Sequence, residues 1–312
     1  MDISIVVPLL NEEDNIEILY KELTLVLAGI GLVYEIILVD DGSTDRSLEI
    51  LTRLQATDSH LVVVSLRKNF GQTAAMTAGF DNATGDLIIA MDADLQNDPA
   101  DIPVLLEKIH EGYDVVTGWR YDRKDPFLSR RLPSKIANWI ISTATGVRIH
   151  DYGCTLKAFK HEVIKNIKLY GEMHRFVPAI ASAMGISIAE VKVNHRPRRF
   201  GQSKYGISRT VRVILDLLTV KFLLSYATRP IHVFGTLGII SGSIGLFIAI
   251  VMTFQRQFYG IPLSDRPLLL LAVFLMFVGV QFVTMGLLAE MLARTYHESQ
   301  DKPIYFVRQI YR

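Results

Sequence analysis

LIIAMDADLQ, residues 87–96, joins a short run of branched apolar residues to two aspartates that are one residue apart. The run from Leu87 to Met91 has the length and composition of a buried strand in a parallel sheet. Residues two apart in an extended chain point the same way, so Asp92 and Asp94 can face one cation at the carboxyl end of that strand. Their oxygen ligands suit Mg²⁺ or Mn²⁺. An Asp-x-Asp pair by itself also fits a solvated turn, so the rest of the chain has to decide.

Composition excludes some classes of protein. The 33 Lys and Arg nearly balance the 32 Asp and Glu, so the overall charge gives no indication of a nucleic-acid partner. Cys154 is the single cysteine, which rules out an intramolecular disulfide and fits a reducing compartment. The first ten residues contain an acid and no basic segment before the apolar run, so we expect no signal peptide.

Strand and helix patterns alternate through the first half of the chain. This alternation predicts an α/β fold with a doubly wound parallel sheet and right-handed crossovers. No G-x-G-x-x-G or Walker loop is present, which disfavours a dinucleotide-binding dehydrogenase and a P-loop NTPase. The expected strands are Ile3 to Val7 (stopped by Pro8), Glu35 to Val39, Leu61 to Ser65, Leu87 to Met91, Asp114 to Thr117, Thr155 to Phe159 and Ser187 to Val193.

Polar residues follow two of these strands. DDGSTD at residues 40–45 offers carboxylates that can accept hydrogen bonds from a ribose or a base, and Ser43 or Thr44 is expected to open the next helix. RKNFGQ at residues 67–72 places cations where they can meet a pyrophosphate, before a helix of small residues. An ordinary strand-to-helix loop remains the alternative for the first of these segments.

Three later segments carry charge. Arg120, Arg123, Arg130 and Arg131 precede an expected helix over Ser134 to Thr145 and form either an anion clamp or a solvated basic face. Asp151 is a candidate general base or organiser of a phosphate site, and a turn-capping role would look the same. NHRPRRFGQSKYG, residues 194–206, has five basic residues, three Arg, one Lys and one His, that can fold over phosphates or lie against anionic lipid.

The last third of the chain is apolar. Residues 207–229 predict an amphipathic helix in the membrane interface. Val233 to Phe254 and Leu268 to Ala289 each contain no charge over 22 residues, which at 1.5 Å per residue spans about 33 Å, enough to cross a bilayer. Glycines and serine on one flank of the first segment favour close helix packing. Flanking Lys and Arg outnumber those of the intervening loop, so the α/β domain and both termini are expected in the cytoplasm.

The expected organisation therefore has four parts. Residues 1–206 form the α/β domain, 207–229 the interface helix, 230–294 a two-helix transmembrane hairpin and 295–312 a cytoplasmic tail. The tail is rich in Tyr and Arg and can dock on a neighbouring subunit, which leaves a homo-oligomer open. A cation held by carboxylates keeps positions for substrate phosphates. A membrane location implies that a second substrate is a lipid, so the pattern favours sugar transfer from a nucleoside diphosphate to a lipid phosphate.

Six motifs in the first 206 residues together resemble the ordered signature of family 2 glycosyltransferases. They are VPLLNEE at 7–13, DDGS at 40–43, NFG at 69–71, DADLQ at 92–96, GWR at 118–120 and RRFGQSKY at 198–205. Within that family the chain is similar to the polyisoprenyl-phosphate glycosyltransferases, and its two-span tail resembles their bacterial branch.

The resemblance implies a GT-A fold, a bound Mg²⁺ or Mn²⁺ and inversion at the sugar carbon. Candidate catalytic residues are Asp92, Asp94 and Asp151, the last because some members carry an acid there that is proposed to assist catalysis. By position, the nucleotide site would comprise Pro8, Asn11, Glu13, Asp40, Asp41, Lys68 and Asp92; the phosphate site Arg120, Arg131, Arg198 and Lys204; and the metal site Asp92, Asp94 and Gln96.

The favoured function is transfer of glucose from UDP-glucose to undecaprenyl phosphate at the cytoplasmic membrane face. The same reaction with GDP-mannose or another UDP-sugar is the first alternative. A processive polysaccharide synthase is disfavoured because the Gln-x-x-Arg-Trp motif is missing. A noncatalytic lipid-phosphate-binding membrane protein is also disfavoured, because binding phosphate alone needs cations and no carboxylate pair.

Overall fold

The structure is a computed structural model. It describes residues 1–121, 138, 141–143, 146–167, 169, 173–197, 231–263, 266–299 and 304–312. Contacts divide the chain into two compact units, Met1–Val220 with Pro303–Arg312 and Lys221–Lys302. The amphipathic helix expected over residues 207–229 lies outside the described residues. Of the helix expected over Ser134 to Thr145, residues 138 and 141–143 are described, and all four are helical.

The described part of the first unit is built on one eight-stranded sheet, which confirms the predicted α/β class. Its strand order is β7-β5-β6-β4-β1-β2-β3-β8. The strands are β1 (Ile3–Leu9), β2 (Tyr34–Asp40), β3 (Leu61–Leu66), β4 (Leu87–Ala90), β5 (Val115–Arg120), β6 (Lys157–Lys160), β7 (Ile188–Val193) and β8 (Val307–Tyr311).

Helices cover the sheet. They are α1 (Ile16–Ile30), α2 (Ser47–Gln55), α3 (Gln72–Asn82), α4 (Ile102–His110), α5 (His161–Lys165) and α6 (Val177–Ala183), with short 3-10 turns at Pro99–Asp101 and Met173–Arg175. In α1 the buried residues are Ile16, Leu19, Leu23 and Leu27, spaced so that one face of the helix packs on the sheet. Each such fully buried side chain contributes about 1.5–3 kcal/mol.

Strands β4, β1, β2 and β3 are parallel and form the centre of the sheet. Their carboxyl ends lie at one edge, where ligands collect in open α/β sheets. Beyond β4 the sheet becomes mixed, because β6 runs antiparallel to both β4 and β5. Strand β7 then pairs in parallel with β5.

Pro8 does not stop the first strand, contrary to the prediction from sequence. It lies within β1 and pairs in register with Val39 of β2. The carbonyl of Val6 accepts a hydrogen bond from the Met91 amide, so Pro8, two residues further, turns its nitrogen to the same side. Pairing of β4 with β1 ends at Ala90, so no ladder hydrogen bond is needed from Pro8.

Other expected boundaries also shift. Helix α2 begins at Ser47, not at Ser43 or Thr44, because those two residues bind Asn11 of the loop after β1. Strand β5 continues through Arg120, so GWR lies in the strand and not after it. Strand β6 begins at Lys157, two residues later than expected.

The described end of the C-terminal tail returns to the first unit. Strand β8 pairs antiparallel with β3, and Val63 lies opposite Tyr311. The Arg67 amide donates to the carbonyl of Phe306, and the Tyr305 hydroxyl donates to Asp81 at 2.7 Å. These contacts of the tail are therefore made with the sheet and with helix α3 of its own chain.

The second unit contains helices α7 (Ile231–Tyr259) and α8 (Pro267–Ser299). Phe234–Tyr259 and Pro267–Ala289 have mean hydropathies of 2.2 and 2.5 and are long and apolar enough to cross a membrane. The two helices pack closely through small residues, as the sequence predicts. A Cβ on Gly238 would lie 2.6 Å from the carbonyl oxygen of Gly279, so a larger residue there would separate the helices.

Candidate active site

Asp92 and Asp94 lie directly beyond the carboxyl end of β4, where three segments of the chain meet. The side-chain Nε2 of Gln72, the first residue of α3, donates to Asp92 Oδ1 at 2.7 Å. The hydroxyl of Thr155, shortly before β6, donates to Asp92 Oδ2 at 2.8 Å. Each carboxylate oxygen can accept a further bond, so Asp92 is oriented without being saturated.

Asp92 is half-buried, and it lies close enough to Asp94 for the two charges to affect each other. Burial and, after it, the charge of Asp94 raise the pKa of Asp92 to about 6, against the opposing effects of Thr155, Arg120 and Lys157. Asp94 is itself buried. Neighbouring buried carboxylates repel one another, and a bound cation removes that repulsion. Because a metal binds the carboxylate, protonation of Asp92 below pH about 6 opposes metal binding.

The backbone turns sharply between Asp94 and Gln96. Leu95 has φ +60°, a left-handed conformation that is uncommon for a leucine. Such a residue costs about 1–3 kcal/mol and persists where its surroundings hold it, often at functional sites. The Gln96 amide donates to Asp94 Oδ1 at 3.1 Å, so the turn also orients the Asp94 carboxylate.

These residues fit a divalent metal that is shared with a substrate. Among the described residues no group of three or more His, Cys, Asp or Glu could hold a metal. The carboxylates of Asp92 and Asp94 and the side-chain oxygen of Gln96 are hard donors. Mg²⁺ in particular is commonly held by one or two carboxylates plus substrate phosphates. The repulsion between the two aspartates supports the same conclusion. Asp92, Asp94 and Gln96 would hold the ion.

The loops after β1, β2 and β3 meet next to these aspartates. Asp41 accepts hydrogen bonds from the amides of Phe70 at 2.7 Å and Gly71 at 2.9 Å, which fixes the loop before α3. Burial raises the pKa of Asp41, and those two amides oppose the rise. A Cβ on Gly42 would lie 2.6 Å from the backbone of Lys68, so only glycine permits this close approach of the two loops.

The other candidate nucleotide residues lie around the same loops. Asn11, with φ +54°, accepts from the Thr44 amide at 2.8 Å. Glu13 accepts from the backbone and side chain of Arg46. Asp40 is buried and accepts from the Ser43 amide, and the Lys68 ammonium lies 5.2 Å from the centre of the Phe70 ring. Several predicted nucleotide residues therefore organise the loops that would surround a nucleotide.

Arg120 and Asp151 form a buried ion pair. Arg120 Nε donates to Asp151 Oδ2 at 2.7 Å and Nη2 to Oδ1 at 2.9 Å. Burial lowers the pKa of Arg120, but the hydrogen bonds and charge of Asp151 outweigh it and raise the pKa overall. Both Asp151 oxygens face the guanidinium, and Arg120 retains further N–H donors for a phosphate. The geometry favours the organiser role of Asp151 over the general base.

Sequence reasoning missed four residues at this site. Two of them, Gln72 and Thr155, bind Asp92 directly. Lys157 is buried beneath the site, donates to the carbonyl of Cys154, and has its pKa lowered to about 8 by burial. His174 Nδ1 lies 2.7 Å from the Thr73 hydroxyl, and burial lowers its pKa so that it stays neutral. Gln72 could have been found from the sequence, because it is a polar residue at the first position of α3. Thr155, Lys157 and His174 are brought to the site only by tertiary contacts.

The remaining predicted phosphate residues, Arg131, Arg198 and Lys204, lie outside the described residues, so their roles stay predictions.

Comparison with known proteins identifies the fold. Residues 4–168 match the family described as Glycosyl transferase family 2. A glucosyl-3-phosphoglycerate synthase from Mycobacterium tuberculosis, crystallised with Mn²⁺ and UDP-glucose, superposes with a TM-score of 0.56 at 21% identity over 70% of this chain and 78% of its own. A mannosyl-3-phosphoglycerate synthase from Rubrobacter xylanophilus gives 0.57 at 17% identity over 71% and 74%.

A relative of known class matches over the full length. The dodecaprenyl-phosphate galacturonate synthase of Rhizobium johnstonii is 45% identical over 100% of this chain and 93% of its own length. The match therefore includes the apolar helices as well as the sheet. Together with the family match it decides against the noncatalytic alternative. The chain belongs to glycosyl transferase family 2 and is a glycosyltransferase with the GT-A fold.

Proposed function

We propose that this enzyme transfers a sugar from a UDP-sugar to a polyprenyl phosphate at a membrane surface, with the help of Mg²⁺ or Mn²⁺. The observation that carries the proposal is the 45% identity with a dodecaprenyl-phosphate galacturonate synthase over the whole chain. The mutual repulsion of Asp92 and Asp94 supports a metal, and two helices long enough to cross a membrane support a lipid substrate.

In this proposal the chain binds the donor diphosphate at the carboxyl edge of the sheet. Asp92, Asp94 and Gln96 would hold the metal, which when bound would act as a Lewis acid on the diphosphate leaving group. Arg120, held by Asp151, adds a positive charge toward the same phosphates. The loops ordered by Asp41 and Asn11 surround the nucleoside.

The acceptor needs little activation. A phosphate monoester is already largely ionised near neutral pH, so its oxygen can attack the sugar carbon without a strong base. Direct attack opposite the leaving diphosphate inverts the configuration at that carbon. The pairing of Asp151 with Arg120 agrees with a mechanism that does not require a general base there.

The donor sugar is the finer part of the proposal. The resemblance considered from sequence favours UDP-glucose, whereas the full-length relative is named for galacturonate. We therefore propose UDP-galacturonate as the donor, with UDP-glucose next and GDP-mannose last. The neighbours crystallised with UDP support the uridine base through the shared fold only.

The test is a transfer assay with purified full-length protein in detergent. Undecaprenyl phosphate and Mn²⁺ or Mg²⁺ are incubated with radiolabelled UDP-galacturonate, UDP-glucose or GDP-mannose, and the label in the organic phase is counted. We expect label from UDP-galacturonate, none without undecaprenyl phosphate and none after EDTA. Label from UDP-glucose alone would correct the donor, and no label from any donor in the presence of metal would contradict the function.

We also propose that the α/β unit and both termini are cytoplasmic and that the loop between α7 and α8 is external. The single cysteine is buried, so introduced cysteines can report the side of the membrane. In spheroplasts, Pro262→Cys should react with a membrane-impermeant maleimide, because Pro262 is exposed in that loop. The matched variant Asp86→Cys, exposed in the α/β unit, should react only after lysis. The reverse pattern would invert the topology.

A further inference from the structure

The guanidinium of Arg196 is bound by two carboxylates, and one of them, Asp98, lies two residues from Gln96. Arg196 Nη2 donates to Asp98 Oδ1 at 2.6 Å and its Nε to Asp98 Oδ2 at 3.1 Å. Nη1 donates to Glu22 of α1 at 2.6 Å. All three nitrogens of the guanidinium are therefore committed to two carboxylates, whereas Arg120 binds only the carboxylate of Asp151 among the described residues.

The contacts of Asp98 strengthen this pair. Asp98 also accepts from the side-chain amide of Asn194 at 3.0 Å and from the Ala100 amide. A bidentate pair between two partly buried side chains has fixed geometry and is stronger than a simple surface ion pair.

The same segment reaches the turn that carries the metal candidates. The Arg196 amide donates to the carbonyl of Gln96 at 2.9 Å, and Asn97 forms an isolated bridge with His195. Leu95, directly before Gln96, has the strained left-handed conformation. A strained residue needs its neighbours to be held in place. Residues 94–98 and 194–196, which are far apart in sequence, are thus joined by a backbone hydrogen bond, an isolated bridge and an ion pair.

We propose that the Arg196–Asp98 pair is a positioning device for the metal site: it holds the turn at Leu95 so that Asp94 and Gln96 can bind the ion together. The inference rests on the proposed function, since it assumes that these residues bind a metal. Arg196 contacts neither candidate ligand through its guanidinium, so it acts through the backbone of Gln96 and through Asp98. Residues that orient metal ligands in this way typically change metal affinity by about 10–100-fold when they are mutated.

The test measures Mn²⁺ binding directly. Full-length protein is titrated with Mn²⁺ in the presence of UDP, and free Mn²⁺ is followed by electron paramagnetic resonance. We expect Arg196→Gln and Asp98→Asn each to raise the Mn²⁺ dissociation constant about tenfold or more. Because both remove the same contact, the double variant should be little worse than either single variant. Arg196→Lys keeps the charge but loses the two-pronged geometry, so an intermediate constant is expected.

Glu22→Gln is the matched control, because it alters only the outer contact of Arg196 and leaves the bond to Asp98. It should bind Mn²⁺ as the wild type does. If the Arg196 variant does not fold, Asp98→Asn carries the test. Wild-type affinity in a folded Asp98 variant, or an equal loss in Glu22→Gln, would overturn the inference. Absence of Mn²⁺ binding by the wild type would instead contradict the metal site of the proposed function.

Discussion

Asp94→Asn is expected to lower the turnover number by on the order of 1000-fold, which corresponds to about 4 kcal/mol of lost transition-state stabilisation. The variant keeps the size of the side chain and an oxygen that can accept from the Gln96 amide. It removes one of the two charges that would hold the metal. The loss should appear in the transfer assay with saturating donor and lipid, and excess Mn²⁺ should restore only part of it.

This loss should occur without loss of folding. Asp94 raises the pKa of Asp92, so its charge opposes the ionised form of its neighbour in the metal-free protein. The metal-free Asp94→Asn variant should therefore unfold at the same temperature as the wild type or higher. Asp86→Asn is the matched control at the opposite, exposed end of β4 and should retain full activity. Activity above a tenth of wild type in Asp94→Asn would contradict a role in metal binding.

Asp151→Asn is expected to lower kcat/KM by on the order of 100-fold, because Arg120 loses the partner that sets its position. Removing one member of a buried ion pair also costs about 3–5 kcal/mol of folding free energy, so the variant should be assayed well below its unfolding temperature. Asp114→Asn is the matched control, since Asp114 forms an ion pair with Lys160 at the other end of β5.

The pH profile separates positioning from proton transfer. In the wild type, activity should fall as the pH drops through about 6, because Asp92 gains a proton and loses its capacity to bind metal. Higher Mn²⁺ should shift this fall to lower pH, since metal and protons compete. The Asp151→Asn variant should show the same fall in activity at low pH, and Mn²⁺ should shift it in the same way. If this fall in activity at low pH disappears in the variant, Asp151 acts as a general base.

Much of the central sheet could be predicted from the sequence. The four parallel strands are short apolar runs that end in turn residues. This local pattern is enough to locate them, and the structure has strands at these runs. The DADLQ segment is recognisable for the same reason, since its aspartates directly follow a strand. Pro8 shows the limit of such a local rule. Its effect on the strand depends on where β4 stops, and that is a property of the assembled sheet.

The rest of the site depends on contacts between distant residues. The contact between Thr155 and Asp92 spans 63 residues, and that between Arg196 and Asp98 spans 98. Neither pair has a spacing that a pattern in one sequence can indicate. The loop 194–206 was predicted as a single basic segment, yet Arg196 within it is committed to carboxylates. Charge alone therefore did not separate an anchoring arginine from a phosphate ligand.

Strand β8 sets an order for assembly. It is synthesised after both apolar helices, yet it pairs with β3, one of the parallel strands at the centre of the sheet. Until it arrives, the buried residues of β3 present unpaired amides and carbonyls to any other strand nearby. A chain that stops within or just after α7 and α8 lacks β8, so this edge of β3 stays unpaired. The sheet of the first unit can therefore be completed only after both apolar helices have been synthesised.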